Sequence, residues 1–426
     1  LDAAVRAQAV EHLTVSTARS IVVLVPAEAA ILECDILGRR AIDHLLQNVR
    51  GLEDAEVRIV ASGSSQSLVK GLPNVPVRSM SELQEPPLAD GIALLLDARL
   101  WCSSVALESL FVRARNSANG LRAVLQRGHV SGVRRVETLA VCMPINRDRP
   151  NLIRRQRPNS AAGLEQLLDA ATLDGTAVCE AFDLDPACPP IYVGGHEGIA
   201  ELERRLLLER AVLAMKQGVR IRDPHAVYIR GELACGANVE IEVNVILEGR
   251  VVLSDGVKVG ANSLVQSSTI GERTRVNPFS IIEDSTVGCD GFVGPYARLR
   301  PGSRIGDEVQ IGNYVEIKNS QIGARSRINH HSFIGDAVLG ERVTIGAGTI
   351  TCNHDGVGTH QTIVERGALI GSGCNLIAPV RIGEGATVGA GSTISRDVPA
   401  GKLTLARSPQ TTVEEWHGPR TRRMKK

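Results

Sequence analysis

The chain has 426 residues, 43% hydrophobic and 3% aromatic, enough for two or three domains with sizeable cores. With 48 basic against 47 acidic residues the formal net charge is +1, so no global field points to nucleic acid or a membrane surface. No window approaches about 18 uncharged apolar residues, so no membrane span is expected.

The nine cysteines are odd in number, scattered and without a C-x-x-C pair. That predicts reduced thiols in a cytoplasmic protein, not a disulfide framework. Leu1-Asp2-Ala3 opens no signal-peptide pattern, and a leucine start is what truncation or processing leaves.

In chain order, Ile21-Val22-Val23-Leu24-Val25 is an uninterrupted apolar run, predicting a strand buried on both faces. Ala41 to Val49 reads as a helix. Val57 to Ala61 reads as a second strand, and Ile92 to Asp97 as a third with an acid at its carboxyl end. Strands alternating with helices predict an α/β domain with a parallel sheet over 1–198. Within it, 144–190 reads as loops and short elements. A linker helix is predicted over 199–218, with Ile199, Leu202, Leu206 and Leu213 on one face and Gly218 as its stop.

From there a six-residue beat takes over. Val227, Leu233, Val239, Val245, Val251 and Val257 begin it. Val287, Val293, Leu299, Ile305, Ile311 and Ile317 continue it, as do Ile322, Ile328 and Ile334. Ile370, Leu376, Ile382, Val388 and Ile394 close it. Many of these aliphatics precede glycine. This is the hexapeptide signature of a parallel β-helix, in which three short strands complete a coil of roughly 18 residues. Each strand points one aliphatic inward, and neighbouring coils must stack to bury it. The β-helix is predicted over 219–405, and Val227 to Ile394 leaves room for about nine such coils. The beat breaks between Ile345 and Ile370, predicting a loop around Thr351 to His360. The tail, 406–426, is basic at its end and reads as solvated.

Three stretches carry a more specific likeness. They are Leu299-Arg300-Pro301-Gly302, Gly312-Asn313-Tyr314-Val315-Glu316-Ile317-Lys318, and Gly346 to Asn353. With Ala406-Arg407-Ser408-Pro409-Gln410 and Trp416, they closely resemble the bacterial bifunctional N-acetylglucosamine-1-phosphate uridylyltransferase and glucosamine-1-phosphate N-acetyltransferase family. The likeness covers about 220–416 and is faint over 1–198. It implies a nucleotidyltransferase-like, Rossmann-like α/β domain followed by a left-handed β-helix acyltransferase domain. It also implies a homotrimer with sites shared between neighbouring subunits, acetyl-CoA as co-substrate, and an amino sugar phosphate as acceptor.

Acyl transfer to a sugar amine needs a group that takes a proton near neutral pH, and an unperturbed imidazole titrates near 6.5. The family places its base at His330, and no role falls to the neighbouring His331. By the same resemblance Arg300 and Lys318 bind the sugar phosphate through charge-assisted bonds. Asn353 holds the acceptor, and the His354 backbone N–H faces the oxyanion. Ala347, Ser372 and Ala390 line the coenzyme groove, and Arg407 meets the coenzyme's phosphates.

The chain departs from the pattern at four acceptor positions. A tyrosine is Phe333, an asparagine is Thr344, a second tyrosine is His354, and a lysine is Thr359. A bond to a charged group contributes about 1.5–3 kcal/mol, so losing the first hydroxyl and the lysine together costs about 3–6 kcal/mol. The first domain departs further. Val25 to Glu33 holds no glycine or cation where a triphosphate loop is expected, and carries two acids. Asp97 matches one Mg²⁺ ligand, but Gly195 stands where the second is expected. Asp97 therefore reads as a solvated strand-end acid, with no Mg²⁺ site and no UMP transfer. The functional expectation is an N-acetyltransferase with a degenerate first domain. The alternatives are a non-catalytic binding or scaffolding paralogue, and an acyltransferase for another amine.

Overall fold

The computed structural model describes residues 18–25, 32–37, 39–50, 52, 55–61, 77–79, 91–115, 121–130, 133–145, 177–180, 185, 187–414 and 416. The chain divides into two compact units, Leu1–Arg205 and Leu206–Lys426.

The first unit is α/β. Among the described residues its longer elements are β1 (Ala18–Val25), α1 (Ala41–Arg50), β2 (Ala55–Ala61), β3 (Val77–Ser79), β4 (Gly91–Asp97), α2 (Ser104–Arg115), β5 (Leu121–Val130), β6 (Val133–Ile145) and β7 (Ala177–Glu180). They form a seven-stranded sheet in the order β7-β5-β6-β4-β1-β2-β3. The three predicted strands and the first helix are present. The sheet, however, is mixed and not parallel as expected. β1 runs parallel to β2 and β4, while β6 runs antiparallel to β4 and β5. Two residues separate β5 from β6, and so short a connection permits only antiparallel pairing. Ile21, Val23, Val25, Ile59 and Leu94 are buried, as are Ile42 and Leu46 of α1 and Leu107, Leu110 and Phe111 of α2. The expectation for Val22 and Leu24 lies outside the described side chains, and most of 144–190 lies outside the described residues.

Helix α3 spans His196–Lys216, starting three residues before the predicted Ile199, and ends at Gly218 with φ +99°. Its buried track differs from the predicted one. Leu202, Leu207, Ala211 and Ala214 are buried, whereas Leu213 is exposed. The small alanines explain the shift. Ala211 and Ala214 pack with Val219 and Ile221 against the first coil of the second unit, where a leucine would not fit as closely.

The second unit is the expected left-handed parallel β-helix. Its 26 short strands pair in one ladder from Arg220 to Thr404. One column of partners runs Tyr228, Ile246, Leu264, Ile281, Arg298, Glu316, Phe333, Ile350, Asn375 and Thr393. Those nine steps match the nine coils read from the periodicity. Most are 17 or 18 residues long, and the 17-residue coils explain why the beat shortens to five at Ile317 to Ile322. The corners are closed by hydroxyls such as Ser285 and Ser320, buried inside the prism. Ser320 Oγ donates to the Lys318 carbonyl at 2.7 Å and accepts from the Ala337 N–H at 2.9 Å. Such pairing is what lets polar groups sit in the core. The one long step, Ile350 to Asn375, contains the excursion between strands Ile350–Cys352 and Thr362–Val364, where the loop was predicted.

Leu299 is fully buried in this core. Leu299→Ala is expected to destabilise the protein by about 2–5 kcal/mol in urea unfolding. Val105→Ala on the exposed face of α2 is expected to change it by under about 0.5 kcal/mol. Equal effects would contradict the core assignment.

Candidate active site

The ladder places the candidate residues in rows. Gln310–Lys318 and Arg327–Gly335 pair in parallel, setting Asn313 beside His330, Glu316 beside Phe333 and Lys318 beside Gly335. His331 follows His330 with φ +35°, so the chain turns a corner there. His330 therefore lies on one side of that corner and Phe333 on the other.

On the first side a column runs along the edge. Arg327 pairs with Thr344, Thr344 with Leu369, and Leu369 with Thr387. Counting three residues on from each brings His330, Ala347, Ser372 and Ala390 into line. The coils there turn on Gly348, Gly373 and Gly391, all at positive φ. Arg407 Nη1 donates to the Ala390 carbonyl at 2.8 Å, so the cation closes the far end of this column. Four coenzyme-groove candidates and the proposed base thus share one edge. Ser372, Ala390, Arg407 and His330 are exposed on it. His330 Nδ1 lies 3.0 Å from Asn313 Oδ1. With that oxygen as acceptor, Nδ1 carries the hydrogen and Nε2 keeps a lone pair. Thr344 lies on this side too, three residues before Ala347.

On the other side lie the remaining acceptor candidates. Leu299 pairs with Ile317 and Ile317 with Ile334, so Arg300, Lys318 and Gly335 fall in line. Arg300 Nη1 donates to Glu316 Oε1 at 2.9 Å, so its charge is already partnered. The Phe333 ring lies over Gly335. A Cβ on that glycine would sit 2.7 Å from the ring and 3.0 Å from the Asn353 amide nitrogen. Only glycine lets ring and amide share this space. Arg300, Lys318, Phe333 and Asn353 therefore gather on one face, and Thr344 is not brought to them.

The loop after Asn353 is built around Asp355. Its carboxylate accepts from the backbone N–H of Gly358 and of Val357, both at 2.8 Å, and meets His360 Nε2 at 2.7 Å. These contacts hold the Asp355 carboxyl well below the usual range. Thr359 and His360 face a cavity of about 270 Å³, also lined by Asn319, Asp336, Val338 and Gln361. Two residues of this region were not foreseen. Asn313 stands 17 residues before His330 and Asp336 stands 17 before Asn353, so the coil period itself was the signal.

In the first unit, Asp97 is buried and not solvated as expected. Arg99 occupies both its oxygens, with Nη2 2.7 Å from Oδ2 and Nε 3.0 Å from Oδ1. The Arg99 backbone N–H adds a third bond at 2.8 Å. Gly195 sits at the start of α3, with its carbonyl accepting from Ile199. Among the described residues, no three His, Cys, Asp or Glu side chains gather in a way that would hold a metal. Residues 26–31 of the expected triphosphate loop lie outside the described residues.

Comparison with known proteins places this geometry in context. A family model described as bacterial transferase hexapeptide (six repeats) matches residues 361–396. The chain is 46% identical over 264 residues to the bifunctional protein GlmU of Janthinobacterium sp. (strain Marseille), covering 61% of this chain and 58% of that protein. It is 44% identical over 292 residues to that of Azoarcus sp. (strain BH72), covering 67% and 64%. It is 38% identical over 355 residues to that of Chromobacterium violaceum, covering 81% and 76%. The chain spans less than two thirds of the length of the first two relatives.

Proposed function

Because this chain belongs to the family of bifunctional GlmU proteins, we propose that it is an acetyl-CoA-dependent N-acetyltransferase acting on an amino sugar phosphate. Glucosamine-1-phosphate, on the way to UDP-N-acetylglucosamine, is the proposed acceptor. The observation that carries this reading is the edge column. It sets an imidazole in line with small residues, bare glycine turns and a terminal cation, all on one exposed ridge.

Small side chains suit a pantetheine arm because they let it lie close to the backbone. Acetyl-CoA supplies the thioester. His330 Nε2 takes a proton from the acceptor nitrogen as that nitrogen forms its bond to the acyl carbon. Asn313 keeps the ring in the tautomer that has this lone pair. The proton then returns from the imidazole to the departing sulfur, so the base is restored. Asn353, Arg300 and Lys318 orient the acceptor from the face around the corner.

The same edge supports a homotrimer with shared sites, and a cytoplasmic location is proposed from the family alone. Before His330 it is aromatic. Phe279 stacks on Tyr296 at 5.0 Å between ring centroids, and Tyr296 on Tyr314 at 5.2 Å. All three are about half exposed, beside exposed Ile281 and Phe292. Such a ridge suits burial against a second copy. Thr344, turned away from the Arg300 face within one chain, would meet an acceptor from a neighbouring chain.

We read the first unit as having lost UMP transfer. Arg99 stands where a metal would neutralise Asp97, Gly195 offers no oxygen, and these residues do not fit Mg²⁺.

Four experiments test these readings. Purified protein is expected to release free thiol from acetyl-CoA when given glucosamine-1-phosphate, and to release no pyrophosphate from UTP and N-acetylglucosamine-1-phosphate. His330→Ala is expected to lower turnover by at least a hundredfold with an unchanged melting curve. Silence with every amino sugar tried would sink the enzyme reading, and full activity in the variant would remove His330 as base. Phe333→Tyr combined with Thr359→Lys is expected to lower the KM for the phosphosugar by about tenfold or more. An unchanged KM would point to an acceptor without that phosphate. By light scattering the protein is expected to have the mass of three chains, and Tyr296→Asp to shift it toward one. A monomeric wild type would refute the assembly.

A further inference from the structure

Asp336 is gripped from two sides. Asn319 Nδ2 donates to its Oδ1 at 2.6 Å, and Asn353 Nδ2 donates to its Oδ2 at 2.5 Å. Its main chain takes part as well. The Asp336 N–H donates to the Lys318 carbonyl at 3.0 Å, and its carbonyl accepts from the Thr362 N–H at 3.3 Å. Asn353 is the last residue before the loop, and Thr362 opens the strand after it. One residue therefore holds both ends of the excursion. The loop's own closure leans on the same anchor, since the His360 N–H donates to the Asn353 carbonyl at 2.7 Å.

The position is fit for this task. Asp336 turns a corner of the prism at φ +48°, where Asp and Asn are better tolerated than most residues. Asn319, one coil earlier, turns the same corner at φ +45°. Partial burial works against a charge on Asp336, but the two amides and the Lys318 ammonium outweigh it and hold its carboxyl below the ordinary value. It stays ionised at neutral pH and acts as an acceptor only. An ionised carboxylate dictates that Asn353 presents its NH₂ to Asp336. The Asn353 carbonyl oxygen is then the atom left to receive an amine hydrogen.

We propose that Asp336 is a positioning residue for the acceptor. It fixes the rotamer and amide orientation of Asn353, and it clamps the loop 353–361 to the coil that carries Lys318. This rests on the acetyltransferase reading for its kinetic consequence, though not for its structural one. A bond to a charged group is worth enough to make the effect at least tenfold.

The test uses the full chain with Asp336→Gly, which keeps the positive φ unstrained while removing both acceptors. Asp336→Asn, which retains one acceptor oxygen, is the conservative comparison. In Asp336→Gly, hydrogen exchange at the His360 amide is expected to speed up about tenfold or more, with exchange at Ile370 and Leu376 unchanged. The KM for glucosamine-1-phosphate is expected to rise by about tenfold or more, with the KM for acetyl-CoA within about twofold. Asp336→Asn is expected to fall between wild type and Asp336→Gly on both readouts. Unchanged exchange at His360 would overturn the clamp. Faster exchange with an unchanged acceptor KM would overturn the positioning role. A wild type inactive with every acceptor would defeat the acetyltransferase reading alone, and the exchange result would still decide the clamp.

Discussion

The parallel ladder of the β-helix is the constraint on which everything else in this molecule depends. Each coil must put its aliphatics inward, because an inward polar residue would have no partner unless it bonds the corner backbone, as Ser320 does. Once the inward positions are fixed, alternation fixes the outward ones. Outside the one long coil that carries the loop, parallel pairing then repeats every outward position 17 or 18 residues later. His330 meets Asn313 and Asn353 meets Asp336 for that reason, and not because any local motif brings them together. A core residue such as Leu299 therefore supports the site without touching it. Moving the register by one residue would turn every functional side chain into the core.

Much of this was legible in the sequence because the fold writes its period directly into the chain. Val287, Leu299, Ile317 and Ile334 announce the inner wall, and all four are buried. The break after Ile345 announces the loop. What stayed hidden was pairwise. Arg300 reads as a free phosphate ligand until Glu316 is found beside it at 2.9 Å. The likeness to a known family named Ala347, Ser372 and Ala390 one at a time, whereas only the register shows that they lie in line with His330. The candidate acceptor residues fall on two faces for a related reason. A corner intervenes at His331, and a linear reading has no means of weighing it.

The first unit was harder to read, and the physics explains why. Apolar runs such as Ile21 to Val25 mark strands but do not record direction, so the antiparallel pair formed by β5 and β6 was missed. Asp97 shows the same limit for charge. Two residues along, nothing in the sequence marks Arg99 as its partner. In the folded unit it supplies a bidentate partner to a buried carboxylate, and its guanidinium lies 5.3 Å from the centre of the Tyr192 ring. A buried ion pair of this kind is weak grounds for stability, since desolvation opposes the attraction. Its clearer consequence is chemical, because a carboxylate with both oxygens committed has little left for a metal.

One edge of the prism changes character at His331, and the change accounts for the division of labour along it. From Asn244 to Gly391 each corner on this edge takes a positive φ. At Phe279, Tyr296 and Tyr314 the corner carries a large side chain, at a cost of about 1–2 kcal/mol each. Stacking returns about 0.5–1.5 kcal/mol for each of the two aromatic pairs, which offsets only part of that cost within one chain. From Gly348 onward the same corners are glycine, and neither that cost nor the stacking applies. Rings held in a strained conformation and half exposed gain most when something covers them. Bare glycine corners gain most when a flexible ligand runs alongside. His331 sits at the point where the first regime gives way to the second, so its neighbour His330 stands where the proposed contact between chains and the proposed thioester channel would meet.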